Sequence, residues 1–174
     1  NYDEELLWFG EKIEYPNANI EKGSSVFNES GFYTLRHDKG FLMVCLQDFK
    51  SRPAHMDQLH IDIWHNGVNI ICDGGTYSYA SELGTKLSTT IAHNTLKISG
   101  LEQMNKKGAF LVTNWTRRKD VVYNGRSFSG TMLSENGYTH KRNINKTNNG
   151  YFIFDEVDGN GDYCYFNFHT PCDV

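Results

Sequence analysis

Two histidines and one aspartate have the residue types and spacing of a metal site. His55 lies in the polar stretch 52–60, Asp73 precedes a Gly-Gly pair, and His93 follows later in the chain. His55 comes before a predicted β-hairpin and Asp73 comes after it, so the hairpin brings the two close together. Two imidazoles and one carboxylate suit a zinc ion that keeps one open position. The alternative is that both histidines are ordinary hydrogen-bonding residues at loop ends.

Two further side chains have the chemistry of a sugar site. The Arg52 guanidinium is a forked partner for a carboxylate, and the Tyr77 ring offers a flat apolar face with a polar tip. We predict that both face the same surface as His55. The alternative places Arg52 in an ion pair with Asp48 or Asp57, and Tyr77 inside the core.

Short strands must position these residues. Apolar and polar residues alternate over 59–64 and 68–72, and Asn66-Gly67 between them is a strong signal for a tight hairpin. Similar runs separated by glycine-containing turns continue to the C-terminus, while 79–90 breaks the rhythm as a loop or short helix. The pattern predicts an all-β fold, an antiparallel β-sandwich, preceded at 1–18 by a short helical or irregular segment.

Composition narrows the functional class. The 174 residues carry a net charge of −4, which gives no basic footprint for nucleic acid. No apolar run approaches the ~20 residues that a membrane span needs. The four cysteines form no CxxC pair, which argues against a zinc ribbon. The alternation predicts that His60 lies on the sheet face opposite to the apolar positions, and that the basic cluster 140–142 lies on a solvated face.

Three longer motifs resemble the β-sandwich domain of the heparinase II/III-like family. They occur in the family's order, with weaker similarities at 140–142 and 166–169, and they are residues 52–64, 69–79 and 92–104. The resemblance implies that residues 19–174 form this sandwich domain (supersandwich-like), whose C-terminal part need not be complete. It also implies that residues 1–18 are the tail of a missing upstream helical domain of the α/α-toroid type.

The resemblance further implies a polysaccharide lyase. Such an enzyme cleaves an anionic, uronic-acid-containing polymer by β-elimination in the cleft between its two domains, with the main catalytic groups upstream. His55, Asp73 and His93 match the family's zinc positions, and Tyr77 matches a tyrosine of the cleft. Pro53 stands where well-studied members have a second histidine, which leaves the acid and base unassigned. The isolated chain is therefore expected to be inactive.

Two other functions are open at this stage. One is a non-catalytic carbohydrate-binding or structural sandwich, which Pro53 favours. The other is a stand-alone metal-dependent hydrolase, which uses the same histidines but lacks a second metal site or a separate base. Heparan sulfate, alginate and bacterial capsule all fit as the polymer. The resemblance also implies a bacterial protein of the periplasm, the cell envelope or the extracellular space.

Overall fold

Thirteen β-strands make up most of the regular structure of the described residues. In the computed structural model these residues are 8–10, 22–78, 81–108 and 110–173. The strands in chain order are β1 (Val26–Phe27), β2 (Phe32–His37), β3 (Gly40–Cys45), β4 (Ile61–His65), β5 (Val68–Ile71), β6 (Leu96–Ile98), β7 (Asn105–Lys106), β8 (Val112–Thr113), β9 (Arg117–Tyr123), β10 (Ser127–Ser134), β11 (Tyr138–Lys146), β12 (Tyr151–Gly159) and β13 (Cys164–Phe166).

Two antiparallel sheets organise these strands. The first has the order β1-β2-β3-β4-β5 and the second the order β12-β11-β10-β9, while β13 pairs with β6 and β7 with β8. The prediction of an all-β antiparallel sandwich is confirmed. The predicted turn at Asn66-Gly67 joins β4 to β5, and its φ angles of 49° and 80° lie in the left-handed region that this turn requires.

Short helical elements interrupt the strands where the alternation breaks. Helix α1 (Glu82–Leu87) begins at Ser81, whose hydroxyl oxygen accepts a hydrogen bond from the Gly84 amide at 2.9 Å, and a 3₁₀ turn follows at Thr90–Ala92. Of the segment 1–18, predicted to be helical or irregular, all but 8–10 lies outside the described residues. Among the described helices, none has the length and apolar character to cross a bilayer.

The hydrophobic core lies between the two sheets. Alternate residues of β2, β3, β10 and β11 point inward, as the period of two in a strand requires. The buried members of this core are Tyr33, Leu35, Leu42, Val44, Leu46, Leu59, Ile61, Leu96, Ile98, Phe128, Met132, Tyr138 and Ile144. A smaller apolar cluster of Met56, Met104 and Val112 packs beneath Phe49.

A buried arginine occupies the same inward face of β11. Arg142 is fully buried, and its Nε and Nη2 donate to the two carboxylate oxygens of Asp155 at 2.7 and 3.1 Å. Its Nη1 donates to the main-chain oxygens of Leu59 and Asn94. His140 is also fully buried, and its Nε2 lies 2.7 Å from the same Asp155 carboxylate.

The prediction of a solvated face for 140–142 is therefore wrong for two of the three residues. Positions 140 and 142 share one face of the strand, and Asp155 stands opposite Arg142 on β12. Burial acts to raise the pKa of Asp155, but hydrogen bonds from His140 and Arg142 outweigh it and lower the pKa. Asp155 is thus an ionised partner that makes it possible to bury the arginine.

Replacing Arg142 by methionine should lower the free energy of unfolding by about 3–5 kcal/mol, because Asp155 would be left as a buried carboxylate without its cation. The matched control is Lys141→Met on the outward face of the same strand. Lys141 pairs at 3.2 Å with Glu156, and both side chains are largely exposed, so this change should cost less than about 1 kcal/mol. Urea denaturation measures both values, and equal losses in the two variants would contradict the role of Arg142.

Candidate metal-binding site

The ends of the β4–β5 hairpin bring together the three residues that the sequence singled out. The Nδ1 atom of His93 lies 2.7 Å from a carboxylate oxygen of Asp73. The ring of His55 faces the ring of His93, with 5.2 Å between their centroids. His55 precedes β4, Asp73 follows β5 and His93 follows the 3₁₀ turn, so three separate segments meet at one end of the first sheet.

His60 is a fourth member of this cluster, which the sequence pattern did not indicate as a candidate ligand. Its Nδ1 lies 3.9 Å from the Asp73 carboxylate, and its ring meets that of His93 edge-on at 5.6 Å. One ligand atom from each of His60, Asp73 and His93 lies within 4.8 Å of the others. Leu59 and Ile61 lie in the hydrophobic core as the alternation predicts, whereas the burial of His60 depends on its contact with His93 in a distant loop.

The buried side chain of Asn94 fixes the loop that carries His93. Its Nδ2 donates to the main-chain oxygens of Ile61 and Cys72, both at 2.9 Å, which ties the loop to both ends of the hairpin. Its Oδ1 accepts a hydrogen bond from the His169 amide at 2.6 Å. The main-chain N–H of Asn94 donates to Nδ1 of His60 at 2.9 Å. The lone pair of this His60 nitrogen is therefore already used in a hydrogen bond.

His55, His60 and Asp73 have the charge states in which such side chains bind a metal. Burial lowers the pKa of His60 to about 4, and burial together with the neighbouring His93 lowers the pKa of His55. Burial acts to raise the pKa of Asp73, but the hydrogen bond and charge of His93 outweigh it and bring the pKa to about 2. Neutral imidazoles and an ionised carboxylate are the forms in which these side chains coordinate metals.

His93 has a buried ring nitrogen that is available to bind a metal. Its side chain is buried, its Nδ1 is bound to Asp73, and its Nε2 is buried with no hydrogen-bond partner among the described residues. A buried polar atom usually has a hydrogen-bond partner or binds an ion. Two or three imidazoles with one carboxylate fit zinc, with His93 coordinating through Nε2 while Asp73 orients its ring, or with Asp73 itself as a ligand.

A pocket of about 400 Å³ opens beside His55 and contains Arg52 in its wall. The Arg52 guanidinium lies 5.6 Å from the ring centre of Phe110, and no ion pair joins it to Asp48 or Asp57 in the described part of the chain. Asp57 also lines this pocket, and burial raises its pKa to about 6. Arg52 thus shares a surface with His55, as predicted.

Tyr77 is exposed rather than packed in the core. Its side chain is 77% accessible, and its φ of 58° lies in the left-handed region. Thr76, the preceding residue, contacts Nε2 of His55 at 3.4 Å and lines a small crevice with His55 and Arg52. The backbone of Tyr77 is therefore next to a residue that contacts His55, and its ring is exposed to solvent.

Comparisons with known proteins give a family match and similar solved structures. A family model described as heparinase II/III-like, C-terminal, matches residues 19–174. The solved structure of the heparinase III-BT4657 gene product has a TM-score of 0.68 and 22% identity, covering 99% of this chain and 27% of that one. The heparan sulfate lyase HepC of Pedobacter heparinus has a TM-score of 0.59 and 17% identity, covering 91% and 25%. None of the curated proteins matches.

The pH dependence of stability should report the buried His60. In the metal-free protein the stability that neutral His60 contributes is fully present above its ordinary pKa of 6.5 and is lost as the pH falls toward about 4. That shift corresponds to roughly 3 kcal/mol. Urea unfolding between pH 7 and 4 should show a shallower loss in His60→Gln than in the wild type, and NMR should show no titration of this ring above about pH 5. Identical pH profiles would rule out a neutral buried His60.

Proposed function

The chain belongs to the heparinase II/III-like C-terminal family, and on that premise we propose that it is the β-sandwich half of a polysaccharide lyase. The proposed substrate is an anionic polymer that contains uronic acid, and the proposed reaction is β-elimination. The observation that carries the proposal is that His55, Asp73 and His93 lie together beside the pocket that His55 lines, within a family match over residues 19–174. The chain spans about a quarter of the length of the solved heparinases, 27% and 25% in the two cases compared.

β-Elimination makes three chemical demands. The uronate carboxylate must be paired so that the C5 proton becomes acidic, a base must remove that proton, and an acid must protonate the departing oxygen at C4. Arg52, which has no carboxylate partner among the described residues and lies in the pocket wall, is suited to pair the carboxylate. The exposed ring of Tyr77 is suited to contact the sugar. An upstream helical domain would supply the main acid and base.

We further propose that His55, Asp73 and His93 hold a zinc ion. The buried Nε2 of His93, which no described residue hydrogen-bonds, and the ionised Asp73 support this set. His55 is a better third ligand than His60, because Nδ1 of His60 already accepts a hydrogen bond from Asn94. When bound, the ion would add positive charge beside the pocket and fix the ends of the hairpin.

A second candidate function is a sugar-binding sandwich without catalysis. The observation in its favour is Pro53, which lines the pocket next to Arg52 and cannot exchange a proton. Either function suits a bacterial protein that meets its polymer in the periplasm, in the cell envelope or outside the cell.

Zinc titration of protein stripped with a chelator tests the metal site. The wild type should bind one ion and gain thermal stability. Asp73→Asn should weaken binding by about 10–100-fold, whether the carboxylate is a ligand or orients His93. The matched control is Asp62→Asn, since Asp62 hydrogen-bonds Asn69 on the neighbouring strand. Loss of binding in His55→Ala with retention in His60→Gln would identify the third ligand; unchanged binding in Asp73→Asn would contradict the site.

The lyase reaction has a direct assay, because each cleavage creates an unsaturated uronate that absorbs in the ultraviolet. The chain alone should produce no absorbance increase with any uronate polymer, since half of the required groups are proposed to lie on the helical domain. The same sandwich joined to that domain should be active, and Arg52→Lys should reduce its kcat/KM. Activity of the isolated chain would disprove the two-domain site, whereas binding without turnover in the joined protein would favour the non-catalytic candidate.

A further inference from the structure

A second polar pocket lies at the opposite end of the sandwich from the zinc candidate. It has a volume of about 520 Å³ and is lined by Lys22, Arg36, His37, Asp38, Lys146, Thr147 and Asn148. Arg36 and His37 end β2, and Lys146 ends β11. His65, which pairs with Gly40 at the start of β3, marks this end of β4. The strand has 5 residues, so roughly 15 Å separate its two ends.

The three cations of this pocket lack carboxylate partners among the described residues, and two of them, Lys146 and Arg36, are held by other contacts. The Nζ of Lys146 donates to the main-chain oxygen of Arg36 at 2.8 Å, which fixes its position between the two sheets. The Arg36 guanidinium lies 4.7 Å from the ring centre of Phe41. No ion pair within the described residues involves Lys22, Arg36 or Lys146, although other lysines on the second sheet do form such pairs.

Two observations indicate that the pocket favours a negative ligand. The Nε atom of Arg36 is buried and has no hydrogen-bond partner in the described part of the chain, so the guanidinium is incompletely satisfied. Three permanent cations line the pocket together with a single carboxylate, that of Asp38. The chain as a whole is acidic, with a net charge of −4, so this concentration of positive charge is local rather than a property of the whole surface.

We propose that this pocket is an anion-binding exosite that takes a carboxylate or sulfate group of an acidic oligosaccharide, away from the zinc candidate. The identification of the ligand as a sugar rests on the proposed function, whereas the preference for an anion rests on Lys22, Arg36 and Lys146. Arg36 provides a planar donor and the two lysines provide point charges, which is the combination that binds sulfate and carboxylate groups. An extended polymer would meet the protein at two places and gain affinity from both.

Isothermal titration with a sulfated uronate hexasaccharide, its unsulfated counterpart, a neutral hexasaccharide and inorganic sulfate tests the exosite. The double variant Lys22→Gln/Lys146→Gln should bind both acidic hexasaccharides at least about tenfold more weakly at low salt, because each lost charge contact weakens binding substantially. The matched control Lys119→Gln/Lys141→Gln removes two lysines from exposed positions of the second sheet and should change affinity by less than about twofold. Lys146→Arg should restore part of the affinity, and thermal unfolding checks that each variant is folded.

Combination with Asp73→Asn separates the exosite from the proposed function. A loss in the Lys22/Lys146 variant that persists in the Asp73→Asn background supports the exosite, whether or not the lyase proposal holds. Binding that depends on Asp73 and not on the two lysines overturns the exosite and leaves the proposed function intact. Inorganic sulfate that binds as tightly as the sulfated hexasaccharide overturns the sugar as the ligand. Equal losses in the test and control doubles show non-specific charge attraction and also overturn the exosite.

Discussion

The packing of the two sheets and the candidate metal site both depend on the hydrogen bonds and the ion pair that neutralise one buried cation, Arg142. The side chain of Arg142 has no access to water. Its charged guanidinium therefore needs hydrogen-bond acceptors within the protein. Asp155 supplies two oxygens from the neighbouring strand, and the main chain supplies two more at Leu59 and Asn94. These two residues immediately precede His60 and follow His93. The cation that binds the two sheets together therefore also fixes the backbone of the candidate metal site.

The site follows the same rule of satisfied polar groups, with one exception. Asn94 uses both its amide donors and its side-chain oxygen to hold three chain segments around the imidazoles. Within this network the Nε2 of His93 stands out, because it is buried and has no hydrogen-bond partner among the residues that the structure describes. This nitrogen is the atom through which we propose that His93 binds zinc, and the neighbouring His55 lines the pocket that contains Arg52.

The features that could be predicted from the sequence are those that depend on neighbouring residues, namely strand alternation and turns. Alternation and the Asn66-Gly67 turn were sufficient for the sandwich and the hairpin. The grouping of His93 with His55 and Asp73 also relied on the family resemblance. Leu59 and Ile61 lie in the core as the alternation predicts, but the alternation does not reveal that the ring of His60 is buried against that of His93. The buried face of 140–142 was missed because a strand of charged and polar residues looks solvated until Asp155 is known to stand opposite Arg142. Both failures concern long-range contacts.

The chain separation of these contacts has a consequence for how the molecule is made. The hydrogen bonds from Arg142 to Leu59 and Asn94 join residues 83 and 48 positions apart. Closing such loops is entropically expensive and slow compared with forming a hairpin. During synthesis the imidazole-bearing segments leave the ribosome well before their arginine support. The polar loops of the first sheet lack the hydrogen bonds of Arg142 until the second sheet packs against it. We therefore expect the imidazole cluster to be among the last parts of the domain to reach its native geometry.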